Sequence, residues 1–347
     1  MDTIYITSSD SSAGKTAMAA SLAQLLQATG KKVGYYKPVV LAQNSGPGLN
    51  DADPRFCARA LGAGDALPSI VLSQEDLLKL QAGVGEAAAS IQRTLAHRSQ
   101  SLDVLLIEGL PCSGETGEAS AALANILGAR MLMVARYRPG LSAASITANV
   151  EAFRERFIGV IINAIPALAL RSAREELGPA LRREGLPVLG FIPEDRLLLS
   201  FAVADYARGL NGVILNNPEN SSALVENLLV GANVLDSSDL YYSRRENKAL
   251  LTRFDRPDLQ WSALEGSTRC VILTGGGEPI PYVQDKATEA GIPLITTQLT
   301  TMEAVAKIAG FPATTVHHAD KLQRFAQLLR EHADLTMVGL QSHAAAA

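Results

Sequence analysis

Residues 8–18 read SSDSSAGKTAM, directly behind the apolar run TIYIT at 3–7 and opening the segment GKTAMAASLAQLLQATG at 14–30. Strand, loop and helix in that order are the setting of the phosphate-binding loop G-x-x-x-x-G-K-[ST]. Its backbone N–H groups wrap phosphates, its lysine neutralises the β and γ oxygens, and its hydroxyl binds Mg²⁺. Gly14, Lys15 and Thr16 satisfy the end of the pattern, but Ser9 stands at the first glycine position. The glycine nearest the helix lies closest to the phosphates, and it is kept. Serine can donate its hydroxyl to an oxyanion, although it takes up a positive φ less freely than glycine. The stretch therefore predicts a nucleotide cradle formed by Ser11, Ser12, Ala13, Gly14, Lys15, Thr16 and Ala17, with a plain helix-start turn as the alternative.

Outward from the loop, Met18, Leu22, Leu25 and Leu26 recur at helical spacing and the helix is expected to stop at Gly30. Further apolar runs follow at 32–36 (KVGYY), 103–109 (DVLLIEG), 130–135 (RMLMVA), 158–163 (IGVIIN) and 187–192 (PVLGFI). Continuous apolar strands alternating with helical segments predict an α/β fold whose parallel sheet is covered on both faces. The rhythm restarts with GVILNN, KALLT at 248–252, CVILTGG at 270–276 and PLITT at 293–297, which predicts a second, smaller α/β domain. The expected division is 1–205, 206–315 and a C-terminal helix with tail at 316–347. In that helix Leu322, Phe325, Leu328 and Leu329 share one face, and the SHAAAA end is expected to fray.

A chain of 347 residues, 47% apolar and with a formal charge of −4, is long enough for two domains. No stretch of 18 uninterrupted apolar residues and no basic-then-apolar leader occur, so neither membrane nor export is expected and the cytoplasm is. The absence of a long Lys/Arg run excludes nucleic acid as the expected partner. Cys57, Cys112 and Cys270 form no CxxC pair, which argues against a disulfide framework and a thiolate metal site. None of them sits in a glycine-flanked nucleophile turn, so a glutamine-dependent amidase is not expected either.

Mg²⁺ requires oxygen ligands beyond Thr16 and the phosphates. Glu108, closing DVLLIEG, exposes a carboxylate at a strand tip, where ligands gather in open α/β sheets. Asp51 and Asp53, in NDAD, are the other candidates, each with a solvated loop carboxylate as its alternative. Lys37, in YYKPVV, is placed to clamp a γ-phosphate or a substrate carboxylate, or else is a surface lysine. Lys15 and Lys37 are thus the candidate catalytic cations, acting by charge neutralisation. Asn163 stands at a strand end, placed to meet a base edge or to cap a turn. His317 and His318 are adjacent, a spacing that does not put both rings on one face, so an exposed loop is expected in preference to a metal site.

SSDSSAGKT, YYKPVV, LLIEG, VIIN and LGFIP stand in the order and spacing of dethiobiotin synthetase and the related amidases of cobalamin synthesis, which residues 1 to about 200 resemble. That resemblance implies ATP-dependent activation of a carboxylate or carbamate as a mixed phosphate anhydride. Lys15, Thr16 and Lys37 would face the triphosphate, Glu108 with one of Asp51 or Asp53 would hold Mg²⁺, and Asn163 would contact the adenine. Departures are concentrated on the substrate side. Ser8 replaces the family's opening glycine, Ser12 replaces an acidic residue, KPVVLAQNSG lacks the Ser/Gly-rich continuation, and EGLPCSGE replaces a glycine-rich turn.

The second half, through ENLLVGANVLDSSDLYY, DRPDLQWSAL and CVILTGGGEP, resembles the DRTGG domain. Asp255 and Arg256 supply one half of its signature, and Thr274, Gly275 and Gly276 the other. Asp255-Arg256 would pair across a fold contact or bind an anionic ligand, the three glycines would let a ligand or partner backbone approach, and Trp261 belongs to a core or an interface. The combination resembles the regulatory front part of long bacterial phosphotransacetylases. It implies an ATP/Mg²⁺-binding regulatory or scaffold protein with a small-molecule effector at the DRTGG domain, a protein partner and a homodimeric state. A carboxylate-activating ligase is the alternative and a retired loop a third reading; an acetyltransferase is not expected.

Overall fold

The computed structural model describes residues 1–10, 12–41, 52–62, 67–82, 86–98, 101–232, 241–312 and 314–340. Two compact units emerge: Met1–Glu194 together with Thr315–Ala347, and Asp195–Thr314.

The first unit is built on strands β1 (Asp2–Ser8), β2 (Val33–Tyr36), β3 (Val39–Leu41), β4 (Ile70–Leu72), β5 (Val104–Pro111), β6 (Arg130–Arg136), β7 (Phe157–Ile165) and β8 (Val188–Pro193). Six of them form one sheet in the order β2-β5-β1-β6-β7-β8, with every neighbouring pair parallel. These six are the six apolar runs of the sequence, and the pairing explains their composition. Tyr5, Ile107, Met131, Met133, Val160 and Ile162 join one core cluster beneath the helices on one face. Ile4 and Ile6, alternating with Tyr5, are as fully buried on the other side. A strand covered on both faces has no polar position to spare. The short parallel pair β3-β4 lies outside the sheet and has no counterpart among the expected strands.

Helix α1 (Lys15–Gln27) follows β1 and is buried nearly all round, because the C-terminal helix Ala319–His332 covers its far side. The Ser21 hydroxyl donates to the Leu322 carbonyl at 3.3 Å, and Leu322, Phe325, Leu328 and Leu329 are all buried. Beyond that helix the chain stays with the same unit. The Asp334 amide bonds to the Leu189 carbonyl (2.6 Å), Arg130 Nη1 to the Met337 carbonyl (2.8 Å) and Lys31 Nζ to the Gly339 carbonyl (2.9 Å). Residues 315–340 are therefore part of the first unit, not an appendage to the second. The SHAAAA end lies outside the described residues.

The second unit adds strands β9 (Phe201–Ala202), β10 (Val213–Ile214), β11 (Leu224–Val225), β12 (Asn227–Val230), β13 (Lys248–Arg253), β14 (Thr268–Thr274) and β15 (Leu294–Thr296). Five make a sheet in the order β10-β15-β14-β13-β12, parallel except for β10 against β15; β9 and β11 pair separately. Ala249 and Leu251 face one core cluster and Leu250 the other, so this sheet too is covered on both sides. The unit starts at Asp195 instead of 206 because Phe201, Val203 and Tyr206 pack into its core. Its last residue, Thr314, donates to the Ser200 carbonyl at 2.9 Å, closing the unit where it began.

Among the described residues no helix is long and apolar enough to cross a membrane.

Candidate functional site

At the end of β1 the chain bends through Ser9 and Asp10. Asp10 Oδ1 accepts the Ser12 amide (3.0 Å), a side-chain turn of the kind Asp forms readily. The loop is braced from three sides: the Ser113 hydroxyl donates to the Ser9 carbonyl (2.5 Å), Arg136 Nη1 to the Ser12 carbonyl (3.1 Å) and the Asn163 amide to the Ala13 carbonyl (2.8 Å). Gly14 has φ +99°, whereas neither Ser8 nor Ser9 has a positive φ. The serines at the former glycine positions thus cost no backbone strain, and the one position that demands glycine has it.

Gly14 is the N-cap of α1. It supplies no side-chain cap, and the first turn contains no acid, so the first N–H groups of a 13-residue helix have no carboxylate of their own. Beside them the Lys15 ammonium is buried and donates to Ser8 Oγ at 2.9 Å. Burial pushes its pKa down, against the pull of Glu108, and Lys37 adds to the lowering. A buried cation on a neutral hydroxyl next to an uncapped helix start is a set of donors that an anion satisfies.

The oxygens gather one step further out. Thr16 Oγ1 lies 3.0 Å from Glu108 Oε1 and 3.3 Å from Asp53 Oδ2. Glu108 comes from β5, and Asp53 from helix α2 (Ala52–Ala60), which follows β3. Lys37, just past β2, stands between the carboxylates, 2.5 Å from Asp53 Oδ2 and 3.2 Å from Glu108 Oε1. Burial by itself would raise the Asp53 pKa, but hydrogen bonds from His317 and Lys37 hold the carboxylate well below its usual range. Two carboxylates and a hydroxyl form a hard-oxygen set that fits Mg²⁺, which takes its other ligands from phosphate and water. No group of three or more His, Cys, Asp or Glu suited to a metal exists among the described residues.

Lys15, Thr16, Lys37, Asp53 and Glu108 are therefore brought together at the carboxyl ends of the parallel strands, where such sheets place ligands. Asn163 is close by, but its amide faces the loop's own backbone at Ala13. Ser12 is exposed, Ala13 buried and Ala17 half-buried on α1. Ser11 and Asp51 lie outside the described residues.

Three participants carry no motif signal. Asp10 organises the loop from within it. Tyr35 donates its hydroxyl to Glu108 Oε2 at 2.7 Å from inside a strand that reads as simply apolar. His317 Nε2 lies 2.6 Å from Asp53 Oδ1, across 264 residues of sequence. His318, its neighbour, instead accepts the Asp320 amide and caps the C-terminal helix, so the two rings do part company, but both are half-buried and engaged where an exposed loop was expected.

In the second unit Thr274 of the signature reaches distant backbone and side chain, donating to the Thr252 carbonyl at 3.2 Å and lying 2.8 Å from the Thr301 hydroxyl, whereas the charged members form ion pairs with near neighbours. Asp255 pairs with Arg253 and Arg256 with Asp258, all two residues apart and largely exposed; neither pair crosses the fold. Gly275 and Gly276 have positive φ, and a Cβ on Gly277 or Gly276 would fall 2.1 Å from the Phe254 ring or from Gln298 Oε1. The approach that the glycines permit is made by the unit's own side chains. Trp261 is half-buried, stacked on Tyr282 (centroids 4.3 Å, 4°), with Lys286 Nζ 3.4 Å from its ring centroid.

A family model described as an AAA domain matches residues 2–202, and a DRTGG domain model matches residues 205–311. The phosphate acetyltransferase of Nitrosomonas europaea is 25% identical over an aligned length of 289 that covers 79% of this chain and 41% of that protein. The phosphate acetyltransferase of Acinetobacter baylyi is 24% identical over 376 residues, covering 94% of this chain and 50% of the other. The chain thus spans about half the length of the curated relatives it matches. Among solved structures, the MinC:MinD cell division complex of Aquifex aeolicus aligns at 18% identity over 57% of this chain and 84% of that one, with a TM-score of 0.38. The CBS and DRTGG domains of the Clostridium perfringens pyrophosphatase regulatory region, complexed with the activator diadenosine tetraphosphate, align at 16% identity over 42% of this chain and 71% of that one, with a TM-score of 0.29. With its first model covering more than half of the sequence, the chain belongs to this AAA-domain family of P-loop proteins and carries a DRTGG domain behind it.

Proposed function

We propose that this chain is an ATP- and Mg²⁺-binding regulatory or scaffold protein of the kind that fronts the longer phosphate acetyltransferases, coupling nucleotide binding to a protein partner or small effector through its DRTGG domain. The observation that carries the nucleotide reading is the buried Lys15 ammonium held on the Ser8 hydroxyl beside the uncapped start of α1. In this reading Lys15 and the loop N–H groups bind the phosphates, and Thr16, Asp53 and Glu108 hold Mg²⁺, which neutralises phosphate charge when bound. Lys37 balances the carboxylates and lies within the same cluster for a terminal phosphate. The regulatory part rests on the architecture and on the departures along the substrate side, where Ser113 is spent on bracing the Ser9 carbonyl.

A second reading, a carboxylate-activating ligase, is favoured by Lys37, which lies against both carboxylates of the cluster beside Thr16. Calorimetric titration of ATP with Mg²⁺ into the chain and into Lys15→Ala tests the shared part: saturable binding lost in the variant is expected, and no heat in the parent chain overturns it. ADP formation with a panel of small carboxylates then favours the ligase; its absence favours the regulatory reading.

A further inference from the structure

Asp53 is held from both sides. Its Oδ2 faces Lys37 and Thr16, at the candidate phosphate and metal cluster, while its Oδ1 meets His317 Nε2. The histidine also packs on Phe56, with ring centroids 5.0 Å apart and planes tilted by 44°. Asp53 and Phe56 are three residues apart on α2, hence on one face, and the imidazole is seated on both.

The backbone that presents His317 is itself fixed. His318 caps the C-terminal helix, and the buried Lys321 donates to the Thr315 carbonyl at 3.1 Å. This short stretch begins directly after Thr314, where the second unit ends.

We propose that His317 is the positioning residue for Asp53: by engaging Oδ1 it fixes the carboxylate so that Oδ2 is presented to the Thr16 and Glu108 oxygens, and it thereby strengthens the Mg²⁺-dependent part of nucleotide binding. The proposal rests on the nucleotide reading above. A carboxylate ligand without its outer hydrogen bond rotates among several rotamers, and loss of such partners typically weakens metal affinity about 10- to 100-fold. The group that completes the site comes from the stretch immediately following the DRTGG domain. Any displacement of residues 315–318 therefore withdraws it.

The test is a titration of ATP into the full chain, His317→Ala and His317→Gln, once with Mg²⁺ and once with EDTA, with thermal melts alongside. The glutamine amide reaches and donates much as Nε2 does. Binding about 10- to 100-fold weaker in His317→Ala with Mg²⁺, unchanged in EDTA, and largely restored in His317→Gln is the expected result. Equal affinity of His317→Ala and the parent chain with Mg²⁺ overturns the proposal while leaving the nucleotide reading standing. Equal weakening in Mg²⁺ and EDTA also overturns it, since the contact then only anchors the returning segment. A parent chain that binds ATP in neither condition overturns the nucleotide reading, and this proposal with it.

Discussion

The Asn163 amide occupies the space that a side chain on Gly14 would need: a Cβ there would lie 2.7 Å from Nδ2, which is spent on the Ala13 carbonyl. Steric room and backbone conformation thus demand glycine independently at this position, where φ is +99°. Gly14→Ala is expected to cost about 1–2 kcal/mol from the left-handed backbone alone, and more from the collision. Chemical denaturation of Gly14→Ala in the parent chain and in an Asn163→Ala background separates the two: measured against Asn163→Ala alone, which has already lost the bond to Ala13, the glycine change should show only the backbone part.

Tyr35 reaches Glu108 from β2, and it is the hydrogen bond that fixes the Oε2 side of this buried carboxylate. Tyr35→Phe leaves that oxygen without its donor and should lower stability by about 1.5–3 kcal/mol, the usual range for hydrogen bonds to charged groups. Urea unfolding measures it, with an unchanged m-value showing that the fold itself is kept.

All three cysteines are buried, and burial pushes each thiol up, Cys112 to about 11 and Cys270 to about 12. Cys57 moves the same way. At pH 8 roughly one Cys112 in a thousand is a thiolate. A thiol reagent should therefore find almost no reactive group in the native chain and three in guanidinium. The linkage has a definite sign. Unfolded thiols titrate near pH 8.5 and the folded ones higher, so their stabilisation is complete below about pH 8.5 and fades as the pH rises toward 11. Melting temperature under reducing conditions should fall across that window, and Cys270→Ala should flatten the decline.

Phe325 carries the apolar face of the C-terminal helix into the first unit and is 2% exposed. Phe325→Ala should cost about 3–5 kcal/mol, as large-to-small changes in a packed core do. Chemical unfolding of this variant should show the loss in the first unit, although the mutated residue follows the DRTGG domain in the chain.

Trp261, the single tryptophan, stacks on the exposed Tyr282. Tyr282→Ala should shift its emission to the red and lower stability by about 0.5–1.5 kcal/mol. Fluorescence-detected unfolding then reports the second unit separately, and the shift in its midpoint is the reading to take.

Sequence alone determined the local and the repetitive features. The six strands of the first sheet are legible because burial on both faces leaves each an unbroken apolar run, and Gly14-Lys15-Thr16 is legible because its chemistry lies within three consecutive residues. β12 escaped notice because Asn227–Val230 is only four residues long and nowhere fully buried. Tertiary structure decided what meets at a distance: Asn163 turned inward to Ala13, Tyr35 holding Glu108, and His317 returning across the whole second unit to Asp53. A hydrogen bond carries no period along the chain, so nothing in the spacing of these residues could announce it. The same holds for residues 315–340, whose apolar stripe announced a helix while only packing revealed that α1 and β8 are the surfaces it covers.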